Sequence, residues 1–145
     1  MARVLIVGCG CRGRALAKEL GSRGHAVRGT TRDPGRRAAI EAAGAEAVVA
    51  DPDRLATLMP HLAGVTVVCW LLQGGGAALH GPRLQSLLER LVDTPVRGFV
   101  YEPAEDPELA AGGVAAVRAA SEIWRIPVEV VGAGGAPAEA VLRLL

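Results

Sequence analysis

Val4-Leu5-Ile6-Val7-Gly8-Cys9-Gly10-Cys11-Arg12-Gly13 carries the first strand of the chain and the turn that leaves it. Four aliphatic residues in a row, three of them β-branched, read as a short strand buried on both faces. Ala15, Leu16 and Leu20 then mark one face of a helix that ends near Gly21 or Gly24. Between the two elements the glycines recur as Gly8-x-Gly10-x-x-Gly13, and each has a physical task. Gly8 allows a tight turn. Gly10 lacks a Cβ, so a diphosphate can approach the backbone. Gly13 lets the helix pack closely on the strand. The helix N-terminus adds free N–H groups and a partial positive charge, which suit an anion. A strand, this turn and a helix in that order predict a dinucleotide-binding loop over Gly8, Cys9, Gly10, Cys11, Arg12 and Gly13.

Outward from this loop the chain alternates between strand and helix patterns. The second strand is read over His25–Thr31, and Asp33-Pro34 opens a second helix that Gly44 ends. Ala47–Ala50 reads as the third strand, followed by a short helix over roughly Arg54–Leu62. Val65–Leu72, the most apolar run, is the fourth strand, and Gln73-Gly74-Gly75-Gly76 breaks it. Leu84, Leu87, Leu88 and Leu91 recur at i, i+3, i+4 and i+7 and so mark a helix. Val96–Tyr101 is the fifth strand, Glu108–Arg125 a helix, Val128–Val131 the sixth strand, and Pro137–Leu145 a closing helix. Strict alternation with short loops implies an α/β fold, a doubly wound parallel sheet of six strands in the order 3-2-1-4-5-6. The 145 residues read as one domain, 1–145, with the ligand crevice at the carboxyl ends of strands one and four.

The end of the second strand bears on which dinucleotide fits. A free ribose 2′-OH is usually met there by an acid. This chain has Thr30 and Thr31 at that place and Arg32 next. A guanidinium can pair with a 2′-phosphate, so the expected cofactor is NADP, with NAD the alternative. Thr30 and Thr31 can donate hydroxyl hydrogen bonds to it. Arg12, Arg36 and Arg37 are further candidates for that phosphate. Asp33 is acidic but placed to cap the helix at Pro34. Asp51, with Pro52 behind it, is read either as an acceptor near the adenine or as a cap. Leu72, Gln73 and Gly74 are expected beside the ribose and nicotinamide.

Composition narrows the rest. Net charge is +1 and charged residues make up 21%, which leaves no broad basic surface for nucleic acid. The apolar runs fall well short of the roughly 20 residues needed to cross a bilayer, so a cytoplasmic protein is expected. Fifteen arginines stand against one lysine, Lys18, and there is no asparagine. That bias weakens the reading of any single surface arginine. Three cysteines do not make a disulfide framework, and His25, His61 and His80 are too scattered to complete a metal site.

Val4–Gly13, Gly24–Pro34 and Gly44–Asp51 together resemble the N-terminal half of extended and atypical short-chain dehydrogenase/reductases, nearest the NmrA-like and NAD-dependent epimerase/dehydratase groups. Val96–Tyr101 is similar to their fifth strand and Ile126-Pro127-Val128 to their sixth. The resemblance implies a Rossmann fold with Gly8, Gly10, Gly13, Arg32 and Asp51 as cofactor contacts. It also implies a catalytic Tyr-x-x-x-Lys pair and a Ser or Thr after strand five. This chain has one tyrosine, Tyr101, and one lysine, Lys18, in different elements, and Tyr101-Glu102 where the Ser or Thr belongs. NmrA-like members bind NADP without that pair.

Further readings stay open at this level. Cys9 and Cys11 are space-filling loop residues or redox-sensitive thiols. Tyr101 and Glu102 are a lid over an apolar crevice or an acid and base. His80 is expected to open a helix, with a contact to phosphates or substrate as its less favoured reading, and Trp70 and Trp124 are expected in the core or at an interface. The leucine face at Leu84–Leu91 belongs to the core or builds a homodimer. Three functions follow: a small NADP-dependent oxidoreductase lacking the usual catalytic pair, a non-enzymatic NADP sensor acting through a protein partner, and a Rossmann domain with another ligand or a thiol switch. The first is preferred, with no catalytic residue assigned.

Overall fold

The computed structural model describes residues 2–132 and 135–145. Six parallel strands form one sheet: β1 (Arg3–Val7), β2 (Ala26–Thr31), β3 (Glu46–Val49), β4 (Val67–Trp70), β5 (Gly98–Tyr101) and β6 (Val128–Val130). Their spatial order is β3-β2-β1-β4-β5-β6, the expected doubly wound arrangement. The helices are α1 (Cys11–Ser22), α2 (Arg37–Ala42), α3 (Leu55–Leu58), α4 (Ala77–His80), α5 (Pro82–Leu91), α6 (Pro107–Trp124) and α7 (Pro137–Leu144).

The pleat sorts the central strands into two cores. Val4 and Ile6 of β1 join Val67 and Cys69 of β4 and Val100 of β5 under α1, α2 and α7. Leu5 and Val7 join Val68, Trp70, Phe99 and Tyr101 under α3, α5 and α6. Burial of both faces explains why β1 and β4 read as unbroken apolar runs. Val4 pairs with Val67 and Ile6 with Cys69, so β1 and β4 join the two halves of the sheet.

Several elements are shorter than the apolar patterns that announce them. Val65 and Leu71 are buried, yet the paired part of β4 is Val67–Trp70. Asp33 caps a 3-10 turn (Pro34–Arg36) by accepting from the Gly35 N–H at 2.9 Å, and α2 begins only at Arg37. Pro60 divides the expected Arg54–Leu62 helix into α3 and a 3-10 turn, Met59–Leu62. Arg28, buried in β2, holds that turn to the sheet through the His61 carbonyl at 2.6 Å and pairs with Glu46 of β3 at 2.9 Å. Leu84, Leu87, Leu88 and Leu91 are all buried in the core of the single chain, which accounts for the leucine face without a second copy. Among the described residues no helix is long and apolar enough to cross a membrane.

Candidate functional site

The carboxyl ends of β1, β2, β4 and β5 open into a cleft of about 760 Å³. That is within the range of small-molecule and cofactor sites. Its floor is the loop from β1 to α1. Gly8 has φ +86°, a left-handed conformation that glycine adopts without strain. A Cβ there would run into the Leu71 carbonyl oxygen. A Cβ on Gly10, in contrast, would meet nothing within 4 Å, so the backbone at Gly10 lies open. A Cβ on Gly13 would lie 3.1 Å from both the Gly8 carbonyl oxygen and Ile6 Cγ2, which is the close helix–strand contact expected of it.

No side chain caps the N-terminus of α1, and its first turn holds no acid. Elsewhere Asp106 caps α6 by accepting from Leu109 N–H. The one long helix that starts at the cleft therefore keeps its N–H groups and positive end for whatever enters. A dinucleotide diphosphate fits this arrangement: an uncapped helix terminus, a bare backbone at Gly10, and room on both sides.

Each expected site residue has a definite place. Gly8, Cys9, Gly10, Cys11, Arg12, Gly13, Thr30, Thr31, Arg32, Pro52, Leu72, Gln73 and Gly74 all line the cleft. Asp51 does not. Its carboxylate accepts from Asp53 N–H at 2.9 Å in a local turn and caps no helix, since α3 starts only at Leu55 with no side-chain cap; its neighbours Ala50 and Pro52 form that wall. Thr30 is buried under the loop, where its hydroxyl oxygen accepts from Gly8 N–H at 3.2 Å and its carbonyl from Cys9 N–H at 3.1 Å. Its first task is to hold the loop. Thr31 bonds the backbone of Asp33. Arg32, Asp33 and Arg36 stand exposed at the β2 end of the cleft, with Asp33 Oδ1 on Gly35 N–H and Oδ2 3.9 Å from Arg36 Nε.

Arg12 is not at that end. Its guanidinium reaches across to the end of β5, with Nε 2.8 Å and Nη2 2.5 Å from Glu102 Oε2. β2 and β5 lie on opposite sides of β1 in the sheet, so Arg12 is withdrawn from the group that would meet a 2′-phosphate. The lid reading of Tyr101 and Glu102 also gives way. Tyr101 is wholly buried and its hydroxyl lies 2.6 Å from His80 Nδ1. His80 Nε2 lies 2.7 Å from the Leu72 carbonyl, which only accepts. Nε2 therefore carries the proton, and Nδ1 accepts from the Tyr101 hydroxyl. His80 ends α4 instead of opening it, and it fixes the cleft wall at Leu72 without facing the cleft. Burial pushes the Tyr101 hydroxyl up to about 12.

Cys9 is buried and Cys11 exposed. Burial raises the Cys9 thiol to about 11, against the lowering expected from a helix N-terminus, and nearby Arg14 offsets only part of this. Cys9 fills space: a Cβ on Gly29 would come 2.7 Å from its sulfur. Gly29 thus makes room for Cys9 beneath the loop, outside the cleft lining, a role the sequence pattern does not mark.

A family model described as NAD(P)H-binding matches residues 8–122, four-fifths of the chain and the whole of this cleft. The chain belongs to the NAD(P)H-binding family. Solved structures share the fold of this NAD(P)H-binding domain. A short-chain dehydrogenase/reductase superfamily protein from Agrobacterium tumefaciens with bound NAD superposes with a TM-score of 0.74 at 20% identity, over 89% of this chain and 48% of that one. UDP-glucuronic acid 4-epimerase from Bacillus cereus in complex with NAD gives 0.70 at 17%, over 89% and 55%. UDP-glucose 4-epimerase from Thermotoga maritima with UDP-glucose gives 0.75 at 11%, over 89% and 54%. The chain spans about half the length of these proteins. No curated protein sequence matches it.

Proposed function

We propose that this domain binds NADP(H) in preference to NAD(H) and works as a small oxidoreductase. The observation that carries the preference is the end of β2. Arg32 and Arg36 line the cleft there with Asp33, the one acid of the segment, whose Oδ1 accepts from Gly35 N–H and whose Oδ2 lies 3.9 Å from Arg36 Nε. A 2′-phosphate would find two guanidinium groups there against one carboxylate that Gly35 N–H and Arg36 already engage. The cofactor would be held by the Gly8–Gly13 loop and the α1 terminus at its diphosphate, and by Leu72, Gln73 and Gly74 on the far side. Bound there, it would supply hydride transfer. The chain's own residues bind and orient it and shape the apolar wall.

Calorimetric titration with NADPH, NADP, NADH and NAD tests this reading. Tighter binding of the two phosphorylated forms is expected. Arg32→Ala should weaken them by about 1.5 kcal/mol, roughly tenfold, the lower end for an exposed charge-assisted contact. NADH and NAD should change little. Equal losses for all four would remove Arg32 from the 2′-phosphate site.

A second reading, a nucleotide sensor without turnover, is favoured by one observation. The hydroxyl of Tyr101, the chain's one tyrosine, is engaged by His80 on the side away from the cleft. NADPH oxidation with flavin or quinone acceptors separates the two readings. Turnover supports the oxidoreductase, and tight binding with none supports the sensor.

A further inference from the structure

Glu102 is an unusual wall for an anion site. Its side chain is 4% exposed, it lines the same cleft as the α1 terminus, and its cation is Arg12, whose side chain is 47% exposed. Strand alternation puts Tyr101 on the α6 face of β5 and Glu102 on the α1 face, so the carboxylate points at the phosphate loop. Both contacts from Arg12 converge on Oε2. Oε1 has no hydrogen-bond donor among the described residues. The two-oxygen fork that makes such pairs strongest is not formed.

This geometry sets a condition on ligands. An anion at the α1 terminus competes with Glu102 for Arg12. Taking Arg12 away strands a buried carboxylate, which is strongly unfavourable unless something else covers it. A singly bound phosphate or carboxylate offers too little in exchange. A diphosphate presents more charge to the guanidinium and to the helix end together, and hydroxyl groups beside it can donate to the released carboxylate.

We propose that Glu102 is a specificity-determining residue: it holds Arg12 against weakly charged anions and yields it to a diphosphate. The inference rests on the reading of this cleft as a dinucleotide site, deepening it with a rule for which anions enter. Arg12 is then the side chain that grips the diphosphate, and Glu102 its resting partner.

The test titrates inorganic pyrophosphate, orthophosphate and NADPH into wild type, Glu102→Gln, Arg12→Gln and the double variant, with thermal unfolding of each. Glu102→Gln should bind orthophosphate about tenfold tighter, the size of one charge-assisted contact. The ratio of pyrophosphate to orthophosphate affinity should narrow accordingly. Arg12→Gln should lose about tenfold for pyrophosphate, and the double variant should show no gain over Arg12→Gln alone. An unchanged ratio in folded Glu102→Gln overturns the proposal. So does a gain that persists without Arg12, or failure of all four proteins to bind pyrophosphate. Should Glu102→Gln not fold, Glu102→Asp, one methylene shorter, should shift the ratio the same way, and a wild-type ratio there overturns the proposal equally. Loss of NADPH binding alone, with the phosphate pattern intact, refutes the dinucleotide reading and leaves the role of Glu102 standing.

Discussion

Gly8 and Gly10 stand two residues apart and should respond to a side chain in opposite ways. At Gly8 the backbone is left-handed and Leu72 Cδ2 would lie 2.7 Å from a new Cβ. Gly8→Ala is therefore expected to cost on the order of 2–3 kcal/mol of stability, seen as a lower Tm. At Gly10 the space is empty. Gly10→Val should keep its Tm within the range of a neutral surface change, about 0.5 kcal/mol, yet lose dinucleotide binding in calorimetry. Wild-type affinity in that variant would refute the placement of the diphosphate. These glycines are legible in the sequence because spacing and backbone geometry are local. What Arg12 does is not legible, since its partner lies 90 residues further along. Thr30 hides its loop-holding role for a related reason. Only the β1–β2 register brings it beneath Gly8, 22 residues before it in the chain.

At the scale of elements, β5 and the helices around it show how one strand end serves two sides. Tyr101 goes to α4 and α6, where a Cβ on Gly113 would collide with its hydroxyl. The neutral phenol is favoured in the folded state, with its value raised from 10.0 to about 12. The folded state therefore binds more protons than the unfolded one between those values. The stability it contributes is complete below about pH 10 and is lost as pH rises toward 12. Cys9, raised from 9.0 to about 11, adds a similar loss beginning lower. Urea midpoints across this window should fall less steeply for Tyr101→Phe than for wild type, and parallel curves would refute the assignment. The phenylalanine variant should also lose roughly 1–3 kcal/mol at neutral pH, because His80 Nδ1 is left unpartnered. Element order and type were readable from apolar periodicity, while element ends were not. Burial continues past the last paired residue, as at Val65 and Leu71, and hydropathy reports burial, not pairing.

For the whole molecule, strand order follows from alternation and the handedness of crossovers, both of which leave a mark in the sequence. Which helices share a face does not. α1 and α7 lie on the same side of the sheet, and Ala138, Ala140 and Val141 complete the core around Val4, Ile6 and Val100. Leu144 reaches the start of β5, where a Cβ on Gly98 would come within 3.0 Å of its side chain. A chain of residues 1–136 should melt over a broad range and bind an apolar dye. A sharp transition within a few degrees of wild type would show that α7 is dispensable.

The same arrangement bears on how the chain is made. The side of the sheet under α3, α5 and α6 has all its residues once Val130 has been synthesised. The side begun by α1 and α2 waits for α7, which follows all six strands in the chain. Until α7 is made, the growing polypeptide therefore leaves the β5–β6 end of that face bare. The cleft, by contrast, is lined from residues 8–102 alone, so every group that would meet a ligand is made before that side of the sheet is fully covered.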